Sequence, residues 1–363
     1  MRTVFPPINV AAIGLGWVAL HRHLPVMDAS PAFNVVGVID RRGGHARAVA
    51  AQRSYRFSAE TDDPGEAPWL DEVDAVTVAT APMNHYPIIK RAREIGKHVL
   101  TEKPFAMTVA EGEDLVLTAR TVGRHLAIVH NFQFTRSTMR LLADLDSGNL
   151  GDITAVNAVQ FSNPRRRLPP WYDELPLGLF YDESPHFLYL MHRITRDLHL
   201  LRALEIPSRN GLRTPARPDA YFRGDGAHYP ITLHCNFERP VSEWHLVVFG
   251  DRQLGIVDVF RDLYVNLRND GAHGTLDVFR TSLAMTTQHW TQHITSGLPH
   301  LKGRLFYGNE EVFERFVRAI RGESEALEPI GSDSALLILR LQHEILDRVE
   351  NVSEYASVRS HLE

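Results

Sequence analysis

The 363 residues, 44% hydrophobic and 23% charged, have the composition of a globular protein of about two domains. This composition excludes wholesale disorder, a fibrous repeat and a disulfide scaffold, since Cys235 is the only cysteine. A formal net charge of −5 excludes the strongly positive field of a general nucleic-acid binder. The lone cysteine, the absence of a secretory leader and the absence of an apolar run of about 18 residues predict a cytoplasmic protein without a membrane span.

The first 130 residues alternate short apolar runs with amphipathic stretches. The predicted strands are Asn9–Ile13, Asn34–Asp40, Ala75–Thr80, His98–Thr101 and His125–His130. The predicted helices are Trp17–Met27, Gly44–Gln52, His85–Ile95 and Val109–Thr121. Continuous apolar strands separated by helices are typical of a parallel sheet covered on both faces, so residues 1–130 are predicted to form a Rossmann-type doubly wound domain.

After about residue 131 the pattern changes to strands with alternating burial and short turns. The predicted strands are Ile153–Phe161, Ile231–Phe237, Glu243–Phe249, Leu254–Phe260 and Leu263–Leu267, and the predicted helices are Thr138–Asp146, Glu310–Ile320 and Ser334–Val349. Short turns between strands favour hairpins. Residues 131–363 are therefore predicted to form one α+β domain with an open, mainly antiparallel sheet.

A glycine turn links the first strand to the first helix. Gly14 allows a tight turn, Gly16 lets the backbone approach a pyrophosphate, and the helix N-terminus offers N–H donors to the anion. The second strand ends in Asp40, where an acidic residue hydrogen-bonds the adenosine ribose. This pattern predicts a dinucleotide site whose turn also includes Trp17 and Val18.

The choice between NAD and NADP depends on three neighbouring residues. Asp40 would repel a 2′-phosphate and so favours NAD. Arg41 and Arg42 follow directly and offer the alternative, a guanidinium clamp on the 2′-phosphate of NADP. An ordinary solvated turn is the other interpretation of these two arginines.

Two further turns follow strands at the edge where open α/β sheets bind ligands. They are Thr80-Ala81-Pro82-Met83-Asn84-His85 and Thr101-Glu102-Lys103-Pro104-Phe105. The second presents the ammonium group of Lys103 at this edge, and Pro104 restricts that lysine to extended conformations. Later in the chain, Asp182 and His186 are four residues apart, a spacing that lets a carboxylate orient an imidazole for proton transfer.

Together these motifs make the chain similar to the glucose–fructose oxidoreductase, inositol dehydrogenase and rhizopine catabolism (Gfo/Idh/MocA) family. The resemblance covers almost the whole chain, including Gly151-Asp152-Ile153 and the late helix Val312–Val317. It implies that Lys103 polarises the reacting oxygen, that His186 exchanges the proton, and that Asp182 positions this histidine. It also implies a substrate-binding and oligomerisation role for the second domain, with dimers or tetramers formed through its open sheet.

The resemblance further implies which residues surround the cofactor and where the second domain departs from the family. Glu102 would place the nicotinamide ribose, and the cofactor cleft would be lined by Thr80, Pro82, Asn84 and His85. This chain departs from many relatives in having Ser184-Pro185 between Asp182 and His186, where they have small or apolar residues. Serine is a good N-cap and proline suits a first helical turn. These two residues predict a helix that starts at residue 185.

An irregular loop carries the candidate substrate residues. They are Arg165, in the run Arg165–Arg167, with Trp171, Tyr172 and Tyr181. Arginine forks and aromatic faces suit a polyhydroxylated or anionic ring, and a solvated basic loop is the equally weighted alternative. No metal site is predicted, because His289 and His293 lack the glutamate and further ligands that a zinc helix needs. His21 and His23 are predicted to be surface residues.

The leading hypothesis is an NAD(P)-dependent dehydrogenase acting on a secondary hydroxyl of a sugar or cyclitol. One alternative, implied by the same resemblance, is a glycoside-cleaving enzyme in which bound NAD oxidises the sugar transiently so that elimination follows. A second alternative is a non-catalytic regulator that senses the cofactor. The presence of Lys103, Asp182 and His186 together disfavours the regulator, which has no need of a proton-transfer set.

Overall fold

The computed structural model describes residues 5–226, 228–301 and 306–352. The strands are β1 (Ile8–Ile13), β2 (Phe33–Ile39), β3 (Phe57–Ala59), β4 (Ala75–Val78), β5 (His98–Thr101), β6 (Leu126–Ile128), β7 (Ile153–Phe161), β8 (Leu198–Ile206), β9 (Arg217–Gly224), β10 (Ile231–Asn236), β11 (Glu243–Gly250), β12 (Gln253–Asp258), β13 (Leu263–Arg268) and β14 (Val349–Asn351). The helices are α1 (Leu24–Ala29), α2 (His45–Arg53), α3 (His85–Glu94), α4 (Val109–Val122), α5 (Arg136–Asp146), α6 (Leu179–Ile194), α7 (Thr275–Leu301), α8 (Asn309–Ile320) and α9 (Ser332–Arg348).

These elements form two units. The Rossmann unit comprises the chain up to Asn131 together with Asn309–Arg340, and the sheet unit comprises Phe132–Gly308 together with the residues from Leu341 on. Within the described residues, no helix combines the length and the apolar character needed to cross a bilayer.

A six-stranded parallel sheet, in the order β3-β2-β1-β4-β5-β6, forms the centre of the Rossmann unit. Every residue of β4 and β5 is buried, because helices cover both faces of a parallel sheet. Helix α4 begins at a capping box in which Thr108 and Glu111 each bond the backbone N–H of the other. This architecture confirms the predicted doubly wound fold and places the ends of β1, β4 and β5 at one edge of the sheet.

The sheet unit is built on eight strands in the order β13-β12-β11-β7-β10-β9-β8-β14. Most neighbours are antiparallel, whereas β7–β10 and β8–β14 are parallel. Burial alternates along β10 and β11, so one face of the sheet is buried and the other is partly exposed. The predicted class, α+β with a mainly antiparallel sheet, is therefore confirmed, although β8, β9, β14 and α7 were not predicted.

The assignment of residues 131–363 to one domain needs correction at Asn309–Arg340, which belongs to the Rossmann unit. Leu336 and Leu339 of α9 are part of the same apolar core as Leu115 of α4. A Cβ added at Gly112 would lie 2.7 Å from the Leu339 Cδ2, which shows how closely these helices approach. Chain order suggested one continuous domain, but α8 and the part of α9 up to Arg340 belong to the Rossmann unit.

Candidate functional site

The glycine turn after β1 lies against the turn after β4. Gly14 has a φ of +83°, and a Cβ there would lie 2.5 Å from the Thr80 Cγ2, so both conformation and space exclude a side chain. At Gly16 a Cβ would meet no atom of the chain closer than 3.8 Å. The chain itself therefore does not require glycine at position 16. This fits a residue kept small for a ligand such as the pyrophosphate of a dinucleotide.

The first residues after the glycine turn combine an exposed ring with buried packing. Trp17 is exposed and stacks on His21, with ring centroids 4.9 Å apart. Arg22 places its guanidinium carbon 4.8 Å from the centroid of the tryptophan ring. Val18 is half-buried and Ala19 is buried, so close packing of the helix on the sheet begins one turn after Gly16.

Asp40 is a buried carboxylate whose two oxygens are both engaged. Its Oδ2 accepts the N–H of Leu15 at 2.7 Å, and its Oδ1 accepts the N–H of Arg42 at 2.9 Å. The guanidinium of Arg42 donates to both oxygens at 2.8 Å and also to the Leu15 carbonyl. Burial alone would raise the pKa of Asp40, but these bonds outweigh it and lower the pKa to about 2. The predicted ribose ligand is thus ionised and paired with Arg42, and both Arg41 and Arg42 are exposed.

The side chain of His85 contacts the turn after β4 and the turn after β5. Its Nδ1 lies 2.8 Å from the Pro104 carbonyl and its Nε2 lies 3.2 Å from the Thr80 carbonyl. Burial lowers the pKa of His85 against the opposing effect of the two carbonyl oxygens, and the ring contacts both turns at the sheet edge. The side chain is fully buried, which corrects the prediction that it lines the cofactor cleft. Thr80 and Asn84 are half-buried and Pro82 is buried.

The turn after β5 is held by a pair of buried polar side chains, Glu102 and His23. The Nε2 of His23 lies 3.0 Å from the Glu102 Oε1, and the N–H of Lys103 donates to the Glu102 Oε2 at 3.2 Å. Burial would raise the pKa of Glu102, but the bond to His23 and the charge of Lys103 lower it. Glu102 is therefore a carboxylate that fixes the backbone of the lysine beside it.

His23 corrects a prediction, because it is fully buried rather than exposed. It ends a π-helical turn, Ala19–His23, that precedes α1. Its ring meets Phe313 of α8 edge-on, with centroids 5.2 Å apart. Single π turns inside helices change which side chains face inward and often occur at functional sites. A helix drawn with a regular period could not have indicated this placement.

In the sheet unit, His186 lies on α6, which begins at Leu179 rather than at the predicted residue 185. Pro185 is inside the helix and has no N–H to give to the carbonyl of Tyr181 four residues earlier. The amide of Gln342 supplies that bond, with its Nε2 2.6 Å from the Tyr181 carbonyl oxygen and 3.0 Å from the Ser184 Oγ. A side chain distant in sequence thus allows the helix to continue through the proline, and Asp182 lies in its first turn.

The imidazole of His186 is surrounded by aromatic rings. Phe132 lies 4.4 Å and Trp244 lies 5.7 Å from it, measured between ring centroids. Its Nδ1 lies 2.9 Å from the hydroxyl of Tyr189, which in turn accepts the N–H of Phe132 at 3.0 Å. Tyr189 thus contacts one ring nitrogen of His186. A hydrogen-bond partner at one ring nitrogen helps to set which tautomer a histidine adopts.

The candidate substrate residues divide into core and surface. Tyr181 is fully buried with its hydroxyl 3.3 Å from the Nε2 of His343, so the prediction that it contacts substrate is corrected. The earlier start of α6 turns this residue into the core. Arg165 is exposed, and Trp171 and Tyr172 are half-buried.

Among the described residues, one cluster has the composition of a metal site: Glu243, His245 and Asp258. Arg261 already donates to both carboxylates, to the Glu243 Oε1 at 2.7 Å and to the Asp258 Oδ2 at 2.6 Å. A guanidinium therefore holds the position that a cation would take.

The comparison with known proteins follows the same division into units. Residues 8–130 match the model of an oxidoreductase family with an NAD-binding Rossmann fold, GFO_IDH_MocA. A dTDP-3,4-didehydro-2,6-dideoxy-alpha-D-glucose 3-reductase of Actinomadura kijaniata is 36% identical over 162 residues, 44% of this chain and 46% of that protein. A D-glucoside 3-dehydrogenase of Escherichia coli (strain K12) is 33% identical over 152 residues, 42% of this chain and 43% of that protein. The chain spans about half the length of the curated relatives it matches.

Solved structures share the fold over more of the chain. A 3-ketoreductase from Actinomadura kijaniata, crystallised in an open conformation with TDP-benzene and NADP, has a TM-score of 0.72 at 20% identity and covers 95% of this chain and 98% of its own. At this level of identity the likeness shows the fold alone. The family match agrees with the Gly14 turn, Asp40 and the Glu102-Lys103-Pro104 turn. Residues 8–130 therefore form an NAD-binding Rossmann domain. Over these residues the chain is similar to the NAD-binding Rossmann domain of the Gfo/Idh/MocA oxidoreductases.

Proposed function

We propose that this protein is an NAD(P)-dependent oxidoreductase that transfers a hydride between the nicotinamide and a secondary hydroxyl or ketone of a sugar, sugar derivative or cyclitol. The observation that carries the proposal is the Lys103 turn. A buried carboxylate, Glu102, fixes the backbone of this lysine at the sheet edge where the Gly14 turn also lies. A lysine with only a surface role needs no such buried support.

The two reactive side chains have complementary tasks in the proposed reaction. The ammonium of Lys103 donates a hydrogen bond to the reacting oxygen and stabilises the negative charge that develops there. In oxidation, His186 takes the hydroxyl proton on Nε2, while Tyr189 contacts Nδ1. A bound NAD(P)⁺ would supply the hydride acceptor, so that alcohol and NAD(P)⁺ would give ketone, NAD(P)H and one proton. Asp182, in the first turn of the same helix, is proposed to position His186.

Two further proposals concern the cofactor and the substrate class. NAD is the proposed cofactor, because the ionised Asp40 disfavours a 2′-phosphate, although Arg42 neutralises part of this charge. The sugar class is supported by the named activities of the two curated relatives, which act on a dTDP-linked sugar and on glucosides. Arg165, Trp171 and Tyr172 suit the polyhydroxylated or anionic ring of such a substrate.

The test is a screen of sugars, cyclitols, sugar phosphates and nucleotide-linked sugars for absorbance change at 340 nm with NAD and NADP separately. With an active substrate, His186→Asn should lower kcat by about 100-fold or more, and Lys103→Met by a similar factor. His199→Asn and Lys90→Met are the matched controls, because they remove exposed groups of the same type and should leave kcat unchanged. Unchanged turnover in both reactive-site variants, with cofactor binding intact, would overturn the assignment.

The same screen distinguishes the alternative activities. Glycoside cleavage without net NADH formation would replace the dehydrogenase by the oxidation–elimination enzyme. The regulator would be favoured if the protein binds the cofactor, turns over none of the substrate classes, and binds the cofactor equally well in both variants. Net NADH formation that depends on both Lys103 and His186 supports the dehydrogenase.

A further inference from the structure

Helix α7 is attached to the sheet unit along one side by an ordered row of polar contacts. The side-chain amide of Gln288 accepts the N–H of Asn266 at 3.0 Å and donates to the carbonyl of the same residue at 2.8 Å. Gln292 accepts the N–H of Tyr264 at 2.9 Å and donates to its carbonyl. In order along the strand, the contacts are Ser296 with Asp262, Gln292 with Tyr264, and Gln288 with Asn266.

The geometry of helix and strand explains why this row is regular. Four residues of helix advance about 6 Å, and two residues of strand advance about 6.6 Å. Side chains four apart on α7 therefore meet alternate residues of β13, which is an edge strand of the sheet. The glutamine amides occupy the backbone groups that an added strand would use. The surface that α7 offers to other molecules is therefore its outward side.

The outward side of α7 is apolar. At about 100° per residue, six large side chains lie within about 40° of the direction opposite Gln292. All of them are exposed, by 53–84%. We call these residues the outer stripe: Leu276, Phe279, Leu283, Trp290, Ile294 and Leu301. A helix on a protein surface normally places its apolar side inward and its charged side outward, so this arrangement is the reverse of the ordinary one.

The helix is also poor in charge. Of its 27 residues, only Asp277 and Arg280 are Asp, Glu, Lys or Arg. Depletion of charge together with large aromatic groups is typical of the buried centre of a protein interface. A helix that lies on an anionic membrane carries several Lys or Arg on its polar side, which α7 lacks. The outer stripe therefore fits a protein surface better than a lipid surface.

We propose that the outer stripe is an interface between two copies of this chain, packed as antiparallel helices about a twofold axis. With the axis at the middle of the stripe, residue 276 faces 301, 283 faces 294, and 287 faces 290 of the other copy. Leucine then meets leucine at the ends, Leu283 meets Ile294, and the large Trp290 meets the small Thr287. Such a self-complementary surface is what a twofold interface requires, because each contact occurs twice.

The positions of the two charged residues of α7 and the surface area of the outer stripe also support a second copy of this chain as the partner. Antiparallel packing keeps the two turns that contain Asp277 and Arg280 at opposite ends, whereas parallel packing would bring like charges together. The six side chains present roughly 700 Å² of accessible surface on each copy. A stable interface of standard size buries about 800 Å² per partner, so the stripe and its flanking residues supply enough area.

The experiment is sedimentation equilibrium of the full chain across a range of concentrations. The wild type should form a dimer of twice the chain mass. Leu283→Lys and Ile294→Glu should each raise the dimer Kd by about 100-fold or more, because each introduces a charge opposite an apolar side chain. In the double variant the introduced ammonium of one copy faces the introduced carboxylate of the other, so at least part of the lost affinity should return.

Val241→Lys is the matched control, because Val241 lies in the connection between β10 and β11, is about as exposed as Leu283 and belongs to the same unit. It should leave the dimer unchanged, and circular dichroism should show the same helix content in all variants. A monomeric wild type, with or without binding to anionic vesicles, would overturn the proposal. An oligomer that Leu283→Lys leaves intact would overturn the interface. If the double variant has a dimer Kd no lower than that of either single variant, the antiparallel register would be overturned.

Discussion

The helix that carries His186 depends on Gln342 for a hydrogen bond that its own backbone cannot make. Pro185 has no N–H, and the Nε2 of Gln342 donates to the Tyr181 carbonyl instead, at 2.6 Å. Gln342→Leu removes this donor while it keeps a side chain of similar size at a buried position. A lost hydrogen bond costs about 1 kcal/mol, and a buried acceptor that loses its donor costs about 1–3 kcal/mol. The free energy of unfolding should therefore fall by about 2–3 kcal/mol.

The cost of Gln342→Leu should then be measured again in a Pro185→Ala background. Alanine restores an N–H at the position where the helix lacks one. In that background the Tyr181 carbonyl can accept an ordinary helical bond, and Gln342→Leu removes only the contact with Ser184, at 3.0 Å. Its cost should fall to about 1 kcal/mol or less. The coupling between the two positions is then about 1–2 kcal/mol, larger than the ~0.5 kcal/mol scatter of independent sites.

The assay is urea unfolding of the four proteins, followed by tryptophan fluorescence. Trp244 is buried in the same unit, 5.6 Å from Phe187 and 5.7 Å from His186 between ring centroids, so it reports the loss of packing around α6. Equal costs of Gln342→Leu in both backgrounds would refute the reasoning. They would mean that the amide does not replace the missing N–H of the proline.

Three other polar groups, all in the Rossmann unit, have measurable consequences. Arg42→Ala exposes the charge of Asp40, so kcat/KM with NADP should fall about 10–100-fold relative to that with NAD, and an unchanged ratio would contradict the pairing. Burial and positively charged neighbours lower the pKa of His98 to about 4, so the folded chain binds fewer protons than the unfolded chain between pH 6.5 and 4. This histidine should therefore contribute a fall in stability of up to about 3 kcal/mol as the pH drops through this range, and His98→Asn should remove that contribution from the urea stability profile. His23→Leu leaves the buried Glu102 with one donor fewer and should cost about 2–4 kcal/mol, against about 1 kcal/mol in a Glu102→Gln background; equal costs would exclude coupling between the two.

The sheet-edge motifs of the Rossmann unit were predictable because they depend on local signals. An apolar run followed by glycine ends β1 at Ile13, and His98–Thr101 was predicted with the bounds that β5 has in the structure. Strands buried on both faces have continuous apolar sequences, so their ends are visible without knowledge of the neighbours. The positions of residues that directly follow such strands are therefore predictable too, and Lys103 does lie in the turn after β5.

The start of α6 was not predictable, because it depends on a residue distant in sequence. Ser184 followed by Pro185 is a strong local signal for a helix start. The structure begins the helix at Leu179, since Gln342 provides the bond that the proline removes across a separation of 161 residues. The same limit applies to α8 and α9, whose apolar periodicity predicts helices but does not say against which sheet they pack.

The burial of single histidines was a third limit. His85 and His23 both occur near predicted cofactor residues, yet both are fully buried and contact backbone carbonyls or a carboxylate. Histidine is amphipathic enough for core and surface, so its position in a helix pattern does not decide its burial. Only the partner decides it, and neither Pro104 nor Glu102 is adjacent to its histidine in sequence.

The two side chains proposed to react, Lys103 and His186, each depend on a departure from regular helix geometry. The π-helical turn that ends at His23 brings an imidazole to Glu102, and Glu102 fixes Lys103. Pro185 interrupts the backbone bonding of α6 one residue before His186, and a buried amide compensates for it. Regular packing alone would have produced an unbroken α-helix in each place. Each departure instead has a buried polar partner that holds it, as expected where function rather than stability determines the local conformation.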